Sequence, residues 1–437
     1  MLPYRSLALA GVLVLSVSAC APALNVSTAP APAESTAKID LSVTETSNVP
    51  VGQPVMVTAQ GGRLTDVKVS GPKGELKGTL SPDGATWEMA NTSLAYGATY
   101  TVNAAAVDSR GLPTTTTTSF TTLEPEKFFS ARAYNPGYEW ATVNTESAKL
   151  GVGMPIIVEF NKPVKNKAEV EQALVVKTPT SIEGAWAWIN NKTVEFRPRE
   201  YWPGNIDVTV DMNLKGVEAS PGIFGEKDTS KTFQYGDAMV SIADANTHQI
   251  KVFKNGKKIG SIPFTSGKPG WETRSGIKVF TTKERTRIMD AASNGEARNS
   301  PDYYRLEVEY ALRMTNTGEF VHAAPWSTYA QGSSDVSHGC IGISTENAAW
   351  FWNKSKIGDV IVVKNTGREQ NIGNGITLWN IPWNKWLKDS ATGAIMTTAT
   401  TSTTPLVPET TTPDAILPSM TPTPVAPSPS ASVAAAN

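Results

Sequence analysis

The hydrophobic pattern along residues 39–123 alternates over short stretches. Between Tyr100 and Ala106 the even-numbered residues are apolar, whereas Thr101 and Asn103 are polar. This period of two is typical of a half-buried β-strand. Turn-forming residues interrupt the pattern at Gly61-Gly62, Pro72-Lys73-Gly74 and Pro82-Asp83-Gly84. Short strands separated by such turns predict a small β-sandwich for residues 39–123.

A second block, residues 124–235, repeats this pattern. The segments from Ile156 to Phe160 and from Asp207 to Asp211 both alternate with a period of two. Residues 157–164 resemble bacterial immunoglobulin-like spacer domains. Neither block contains a His or a Cys, so we interpret both as structural β-sandwiches that act as stalks or packing platforms.

A third unit, residues 236–364, is also rich in predicted strands. Apolar segments at 239–243, 249–253 and 360–363 favour strands, and Asn255-Gly256 is typical of a hairpin turn. One short helix is predicted over residues 347–354, with Ser344 or Thr345 as its N-cap. The chain is therefore predicted to be mainly β, with two sandwich domains followed by a β-rich domain with a short helix.

The C-terminal segments differ in composition. Residues 365–388 contain Trp379, Trp383 and Trp386, and we expect this segment to pack back on the third unit. Residues 389–437 consist mostly of Thr, Pro, Ala and Ser, with no Lys, Arg or aromatic residue. Such a composition buries too little apolar area to offset its chain entropy, so disorder is predicted.

The N-terminus is typical of an exported protein. Residues 1–19 form a short positive region and an apolar run that is too short to span a bilayer, which predicts a signal peptide. An uncleaved membrane anchor is the alternative. The ending Val17-Ser18-Ala19-Cys20 resembles the bacterial lipobox, which predicts lipidation of Cys20 at the outer face of the cytoplasmic membrane. Residues 20–38 then form a flexible linker.

The charge of the chain limits its partners. Its 437 residues carry a formal net charge of -1, which gives no basic field for nucleic acid. We therefore exclude nucleic acid as a partner.

Cys340 lies close in sequence to two of the three histidines. His322 precedes it by 18 residues and His338 by two. A thiol attacks as the thiolate, so it needs a nearby base, and histidine suits that role near neutral pH. Gly339 allows the backbone to bend so that its N–H and that of Cys340 can point at an oxyanion.

Other interpretations of these residues remain open. A zinc site would also use Cys and His, but this spacing is not that of common zinc fingers and no acidic residue adjoins the pair. A buried, inert cysteine is a further alternative. His248 follows the turn-forming residues Asn246-Thr247 and is interpreted as a solvated loop residue.

The arrangement of His322, fourteen intervening residues and Ser337-His338-Gly339-Cys340 resembles the signature of the YkuD family of L,D-transpeptidases. The segments 289–290, 300–304 and 318–327 are similar to those of its mycobacterial-type members. Those members carry immunoglobulin-like domains ahead of the catalytic one, which matches the order predicted here. The lipobox and the Pro/Thr-rich tail resemble the lipoprotein branch of that group.

The resemblance implies a role for each site residue. Cys340 would be the nucleophile, His322 the base held by the Ala323 carbonyl, and His338 and Gly339 part of the oxyanion pocket. Residues 285–304 would form a flap over the groove. The implied substrate-binding residues are Met289, Tyr304, Gly318, Trp326, Ser337 and Gly342.

The implied reaction needs no metal or cofactor. The thiolate attacks the L-to-D peptide bond of a peptidoglycan tetrapeptide stem and expels D-alanine. An amine of a neighbouring stem then takes the acyl group and makes a 3→3 cross-link. Carbapenems would acylate the same thiol. An L,D-carboxypeptidase or a protein-anchoring transferase would share the acyl-enzyme, and a non-catalytic wall-binding scaffold is the third alternative.

The sequence departs from the family's pattern at two positions near the nucleophile. Gly342 stands where Asn is usual, and Ala323 stands where Ser is usual. Loss of one buried hydrogen bond costs about 1–3 kcal/mol if its partner is left unsatisfied, so Gly342 is expected to alter substrate preference or rate.

Overall fold

The computed structural model describes residues 33–90, 94–135 and 149–400. The predicted signal peptide, the proposed lipidation site Cys20 and most of the predicted linker lie outside these residues. Contacts divide the chain into two compact units. The first takes the described residues of Met1–Thr44, Pro54–Asn91 and Tyr100–Ser119, and the second takes those of Glu45–Gln53, Thr92–Thr99 and Phe120–Asn437. No helix among the described residues is both long enough and apolar enough to cross a membrane.

The first unit is built from two four-stranded sheets. The apolar face predicted between Tyr100 and Ala106 is confirmed, because each of its even-numbered residues is less than 5% exposed. The sheet orders are β1-β2-β6-β5 and β4-β3-β7-β8. The strands are β1 Lys38–Leu41, β2 Met56–Gln60, β3 Gly62–Gly71, β4 Gly74–Leu76, β5 Gly78–Leu80, β6 Thr86–Met89, β7 Thr99–Asp108 and β8 Pro113–Thr121.

The predicted linker is too long at its C-terminal end. The Thr36 N–H donates to Asp108 Oδ2 at 3.1 Å, Ala37 is buried, and β1 begins at Lys38. Residues 36–38 are therefore held against the first sandwich, because the Asp108 carboxylate needs donors that these residues supply.

The immunoglobulin-like part of the second unit contains two facing sheets. One has the order β10-β11-β14-β13 and the other β18-β15-β12, while β16, β17 and β9 form a small third sheet. Trp186, Phe196 and Trp202 are among the buried side chains of its core. Its elements are β9 Lys127–Phe129, β10 Ala131–Tyr134, β11 Ile156–Phe160, helix α1 Lys167–Gln172, β12 Leu174–Thr178, β13 Glu183–Trp188, β14 Thr193–Pro198, β15 Asp207–Met212, β16 Glu218–Ser220, β17 Ile223–Gly225 and β18 Thr229–Gln234.

The third predicted unit also contains two sheets. The predicted hairpin is confirmed, with positive φ angles at Asn255 and Gly256, and the predicted helix begins after its N-cap Ser344. The sheet orders are β21-β20-β19-β27-β22 and β23-β24-β25-β26. The elements are β19 Met239–Asp244, β20 Gln249–Lys254, β21 Lys257–Pro263, β22 Gly276–Val279, β23 Thr282–Asp290, β24 Arg305–Arg313, β25 Phe320–Ala323, β26 Ile341–Ile343, helix α2 Thr345–Lys354 and β27 Val360–Lys364.

The tryptophan-bearing segment contacts both neighbours, so the prediction that it packs on the third unit is partly correct. The Asn380 side chain bonds the Ile277 backbone of β22 in the third unit, whereas the tryptophans pack on the second sandwich. The Arg197 guanidinium of β14 lies 5.0–5.2 Å from the rings of Trp379, Trp383 and Trp386. The indole N–H of Trp386 donates to the Ala185 carbonyl of β13. Cation–π attraction explains this choice, because Arg197 is a buried cation that needs electron-rich partners. The segment contains a short helix, α3 Trp383–Trp386.

The predicted disorder is wrong for residues 389–400. Strand β28, Ile395–Met396, pairs with β13, and β29, Thr398–Ala399, pairs with β12. The buried Glu171 carboxylate accepts hydrogen bonds from Trp188 and from residues 390–392. Main-chain pairing needs no apolar side chain, which is why composition missed this segment. Residues 401–437 lie outside the described residues.

Candidate active site

Two neighbouring parallel strands bring the predicted base and nucleophile together. Strand β25 pairs with β26 so that His322 lies opposite Gly342, and Cys340 directly precedes β26. Both side chains line one groove of about 260 Å³. The loop that connects β25 to β26 brings the second strand beside the first, so His322 and Cys340 are close in space although 18 residues separate them.

The His322 ring is held in one tautomer. Its Nδ1 lies 2.7 Å from the Ala323 carbonyl oxygen, which can only accept, so Nδ1 carries the proton. In the neutral ring Nε2 is then a free acceptor. His322 is buried, and burial lowers its pKa because the charged form loses solvation. The ring is therefore a neutral base at neutral pH.

The Cys340 thiol is also buried. Burial raises its pKa to about 12, because a thiolate loses its solvation there. The Phe320 N–H donates toward the sulfur and opposes that rise, and the Gly318 carbonyl oxygen lies 3.7 Å from Sγ. At neutral pH the resting thiol keeps its proton.

Ser337 closes the turn that carries Cys340. Its Oγ accepts from the Gly339 N–H at 3.1 Å and donates to the Cys340 carbonyl at 2.6 Å. Gly339 has a φ of 112°, a backbone region that favours glycine. The Gly339 N–H is bonded to Ser337 in this turn, and the expectation that it points at an oxyanion stays a prediction. The role of Gly339 in the structure is to allow the turn.

His338 lies between two aromatic rings at the edge of the groove. The ring centroids of Trp271 and Tyr304 each lie 5.1 Å from that of His338. His338 Nε2 lies 3.3 Å from Asp302 Oδ1, and Lys268 Nζ lies 2.8 Å from the same oxygen. Lys268, followed by His338, lowers the pKa of Asp302. The predicted flap, residues 285–304, is thus joined through Asp302 to the loop that carries His338 and Cys340.

The structure brings most of the predicted site residues together. Eight of them line the groove: Met289, Tyr304, His322, Trp326, Ser337, His338, Cys340 and Gly342. Gly318 and Gly339 do not line it. The Gly318 carbonyl contacts the Cys340 sulfur, and the Gly339 N–H bonds to Ser337. Sequence reasoning missed seven lining residues: Thr265, Leu306, Val308, Ala324, Ser327, Tyr329 and Val336. Of these, Tyr329 offered a signal, because it is an aromatic residue in the loop after His322.

The space beside Gly342 is filled by its neighbours. A Cβ at this position would lie 3.0 Å from Ala324 Cβ and 3.1 Å from Thr265 Cγ2. Both distances are shorter than ordinary van der Waals contacts, which begin near 3.4 Å. Thr265 and Ala324 therefore fit a glycine here, and a larger residue requires them to move.

His248 is not a solvated loop histidine. It occupies a turn with positive φ, as expected, but its side chain is only 15% exposed and its Nε2 lies 3.2 Å from Asp335 Oδ1. Asp335 also accepts from the Ser266 N–H and hydroxyl. Because Asp335 precedes Ser337 by two residues, the two Ser266 hydrogen bonds anchor the segment that leads to Cys340. Within the described residues, no three His, Cys, Asp or Glu side chains are close enough to hold a metal ion.

Comparisons with known proteins agree with this organisation. Residues 46–218 match the model of a bacterial Ig domain, and residues 238–363 match the YkuD L,D-transpeptidase catalytic domain. L,D-transpeptidase 2 of Mycobacterium tuberculosis is 36% identical over 358 residues, which cover 81% of this chain and 85% of that protein. L,D-transpeptidase 5 of Mycobacterium tuberculosis is 33% identical over 352 residues, covering 78% and 74%.

One matched solved structure covers about half of this chain. The crystal structure of L,D-transpeptidase 3 from Mycobacterium tuberculosis is 32% identical, covers 49% of this chain and 94% of its own, and superposes with a TM-score of 0.41. The sequence match to relatives over most of their length, together with the matched catalytic domain, settles the family. This chain belongs to the YkuD family of L,D-transpeptidases and carries immunoglobulin-like domains ahead of its catalytic domain.

Proposed function

We propose that this protein forms 3→3 cross-links in peptidoglycan through a thioester on Cys340. The observation that carries the proposal is the shared groove of Cys340 and His322, in which the Nδ1 contact to Ala323 leaves Nε2 as an acceptor. A neutral base beside a thiol is the arrangement that acyl transfer by cysteine requires.

The proposed reaction has two acyl transfers. His322 Nε2 takes the thiol proton as the Cys340 sulfur attacks the carbonyl carbon of the L-to-D peptide bond. The tetrahedral intermediate collapses, His322 gives the proton to the departing nitrogen of D-alanine, and a thioester remains. A side-chain amine of a second stem then attacks the thioester carbonyl, its proton passes through His322 to the sulfur, and an amide cross-link forms.

Burial of both groups supports general-base catalysis over a preformed ion pair. The pKa of Cys340 is raised to about 12 and that of His322 is lowered, so both shifts favour the neutral forms. The proton therefore moves as the carbon–sulfur bond forms, when the developing charge is passed on to the substrate oxygen.

The acid limb of the pH–rate profile should lie below the usual histidine pKa. Because burial lowers the pKa of His322 below 6.5, the neutral base persists to lower pH than in free histidine. We expect kcat/KM for stem acylation to stay nearly constant from about pH 8 to about pH 6.5 and to fall only at lower pH. Measuring D-alanine release against pH tests this, and a midpoint above the usual histidine pKa would contradict it.

The function itself is tested with defined stems. The full chain incubated with tetrapeptide stems should release D-alanine and yield stem dimers joined through the acceptor amine. If only the shortened tripeptide appears, water is the acceptor and the protein is an L,D-carboxypeptidase. If a folded protein yields neither product from any stem, the proposal is wrong.

Gly342 is proposed to set the width of the groove beside the nucleophile. Gly342→Asn should press on Thr265 and Ala324, narrow the groove and lower kcat/KM by roughly tenfold, chiefly through a higher KM, since small steric changes in a pocket have effects of this size. Steady-state kinetics with a tetrapeptide stem measures this effect.

A compensating variant provides the control for that prediction. Thr265→Ser removes the Cγ2 that crowds position 342 but keeps the hydroxyl bonded to the Ser334 carbonyl. The double variant Gly342→Asn with Thr265→Ser should recover part of the lost kcat/KM. Unchanged kinetics in Gly342→Asn would show that the groove width is set elsewhere.

The cellular location is part of the proposal. The signal sequence and the lipobox at Cys20 support export and lipid anchoring at the outer face of the cytoplasmic membrane. Stem peptides of peptidoglycan lie on that side of the membrane, so the enzyme would meet its substrate there.

A further inference from the structure

Three charged side chains form a buried cluster next to the nucleophile. Lys278 Nζ lies 2.5 Å from Glu319 Oε2, and Arg274 Nη1 lies 2.8 Å from Glu319 Oε1. The Lys278 side chain is 0% exposed, that of Glu319 6% and that of Arg274 14%. None of the three lines the groove, and the proposed reaction does not use them.

Strand geometry directs Lys278 toward the face of its sheet that lies nearer to Cys340. Ile277 and Val279, its neighbours on β22, contribute to the core shared with the second sandwich. Side chains alternate along a strand, so Lys278 faces the opposite side. On that side Lys278 contacts Glu319. The residues on either side of Glu319 both contact the Cys340 sulfur, Gly318 through its carbonyl oxygen and Phe320 through its N–H.

The cluster also supports the backbone of the nucleophile turn. Glu319 Oε1 accepts from the Arg274 N–H at 3.1 Å. The preceding residue, Thr273, donates its hydroxyl to the Gly339 carbonyl at 2.9 Å. The carboxylate thus ties the residue before β25 to the segment that holds Gly339 in place.

Burial of these three charged side chains is unfavourable in desolvation free energy. Desolvating each ion costs several kcal/mol, and apolar residues of similar volume often serve stability as well or better. Glu319 alone would also oppose a thiolate, because a nearby like charge disfavours ionisation. Lys278 offsets that effect, since an ammonium attracts a developing negative charge at the sulfur.

We propose that Lys278 and Glu319 are positioning residues for the reaction of Cys340. Glu319 fixes the backbone on both sides of the sulfur, and Lys278 neutralises the Glu319 carboxylate so that the thiol can transfer its proton. This inference rests on the proposed role of Cys340 as the nucleophile. It assigns no substrate contact to either residue.

Other charged and titratable groups lie near the thiol or contact its neighbours, and they stay unchanged in the test. His322 is the proposed base, and His338 stands in contact with the flap through Asp302. Directions of the pKa shifts agree with the proposal, because Glu319 raises the pKa of Cys340 and Lys278 lowers it. Tyr304 interacts electrostatically with Cys340 and with Asp290. Lys268 pairs with Asp302, and Arg274 pairs with Glu319.

The test measures the reactivity of the thiol itself. The full chain is alkylated with iodoacetamide across a range of pH, and mass spectrometry of the peptide containing Cys340 gives its rate separately from that of Cys20. At a fixed pH below the pKa of the Cys340 thiol, Lys278→Met should slow alkylation roughly tenfold. This corresponds to a rise of about one unit in the pKa of Cys340, because the Glu319 carboxylate is no longer neutralised by Lys278. Glu319→Gln should accelerate alkylation, and the double variant should lie near the wild type.

A charge-retaining variant and a second single variant distinguish the proposed role from a purely structural one. Lys278→Arg retains the charge and should restore most of the wild-type rate, which a purely space-filling role would not require. A folded Lys278→Met protein with the wild-type pH dependence would overturn the proposal. If Lys278→Met does not fold, an unchanged rate in Glu319→Gln overturns it instead. Alkylation needs no stem peptide, so its result stands apart from the test of transpeptidation.

Discussion

Replacing Cys340 by alanine should abolish acyl transfer. The variant lacks the only proposed nucleophile, and loss of such a group lowers turnover by more than about 10³-fold in enzymes that form covalent intermediates. We expect no release of D-alanine from tetrapeptide stems and no covalent adduct with a carbapenem. Intact-protein mass spectrometry and D-alanine assays measure both effects.

The second cysteine gives the matched control. Cys20 is separated from the groove by the whole of both sandwich domains in sequence. Cys20→Ala should therefore retain D-alanine release and carbapenem acylation in the purified protein. Residual acylation of Cys340→Ala at the wild-type rate would place the nucleophile elsewhere.

Gly151→Ala should strongly destabilise the second unit. A Cβ at this position would lie 2.0 Å from the Asp359 backbone nitrogen and 2.1 Å from the Gly358 carbonyl carbon. The Gly151 N–H donates to the Ile357 carbonyl at 2.8 Å. The backbone of the second sandwich is therefore in direct contact with the segment that precedes β27. Overpacking against rigid backbone typically costs about 1–3 kcal/mol and sometimes more. Denaturant unfolding measures the loss.

A second glycine separates this clash from the general effect of adding a methyl group. A Cβ added at Gly52 would meet no atom within 4 Å, and Gly52 does not adopt a positive φ. Gly52→Ala should leave the free energy of unfolding within about 0.5 kcal/mol of the wild type. Equal stability of Gly151→Ala and Gly52→Ala would show that this backbone contact is absent in solution.

The sequence was sufficient for features that depend on local pattern. Alternation between Tyr100 and Ala106 predicted a buried face because a strand places successive side chains on opposite sides. Asn255-Gly256 predicted a hairpin because its turn requires positive φ. The spacing of His322 and Cys340 resembled a known signature, and parallel pairing of β25 with β26 places both in one groove.

Features that depend on distant partners were missed. Lys278 and Glu319 are 41 residues apart, and no local pattern pairs them. The three tryptophans of the C-terminal segment pack on Arg197, a buried cation that looks in sequence like any strand residue. Residues 395–396 and 398–399 form strands through main-chain bonds, which composition does not encode. The turn at Gly339 was predicted, but the Ser337 hydroxyl that occupies its N–H was not.

The proposed role of Cys340 as the acyl carrier is tested most directly by peptide mass mapping after incubation of the full chain with a tetrapeptide stem. We expect a tripeptide acyl group on the peptide that contains Cys340, with one D-alanine released for each thioester formed. A folded protein that gains no adduct on Cys340, or that carries the acyl group on another residue, would contradict this role.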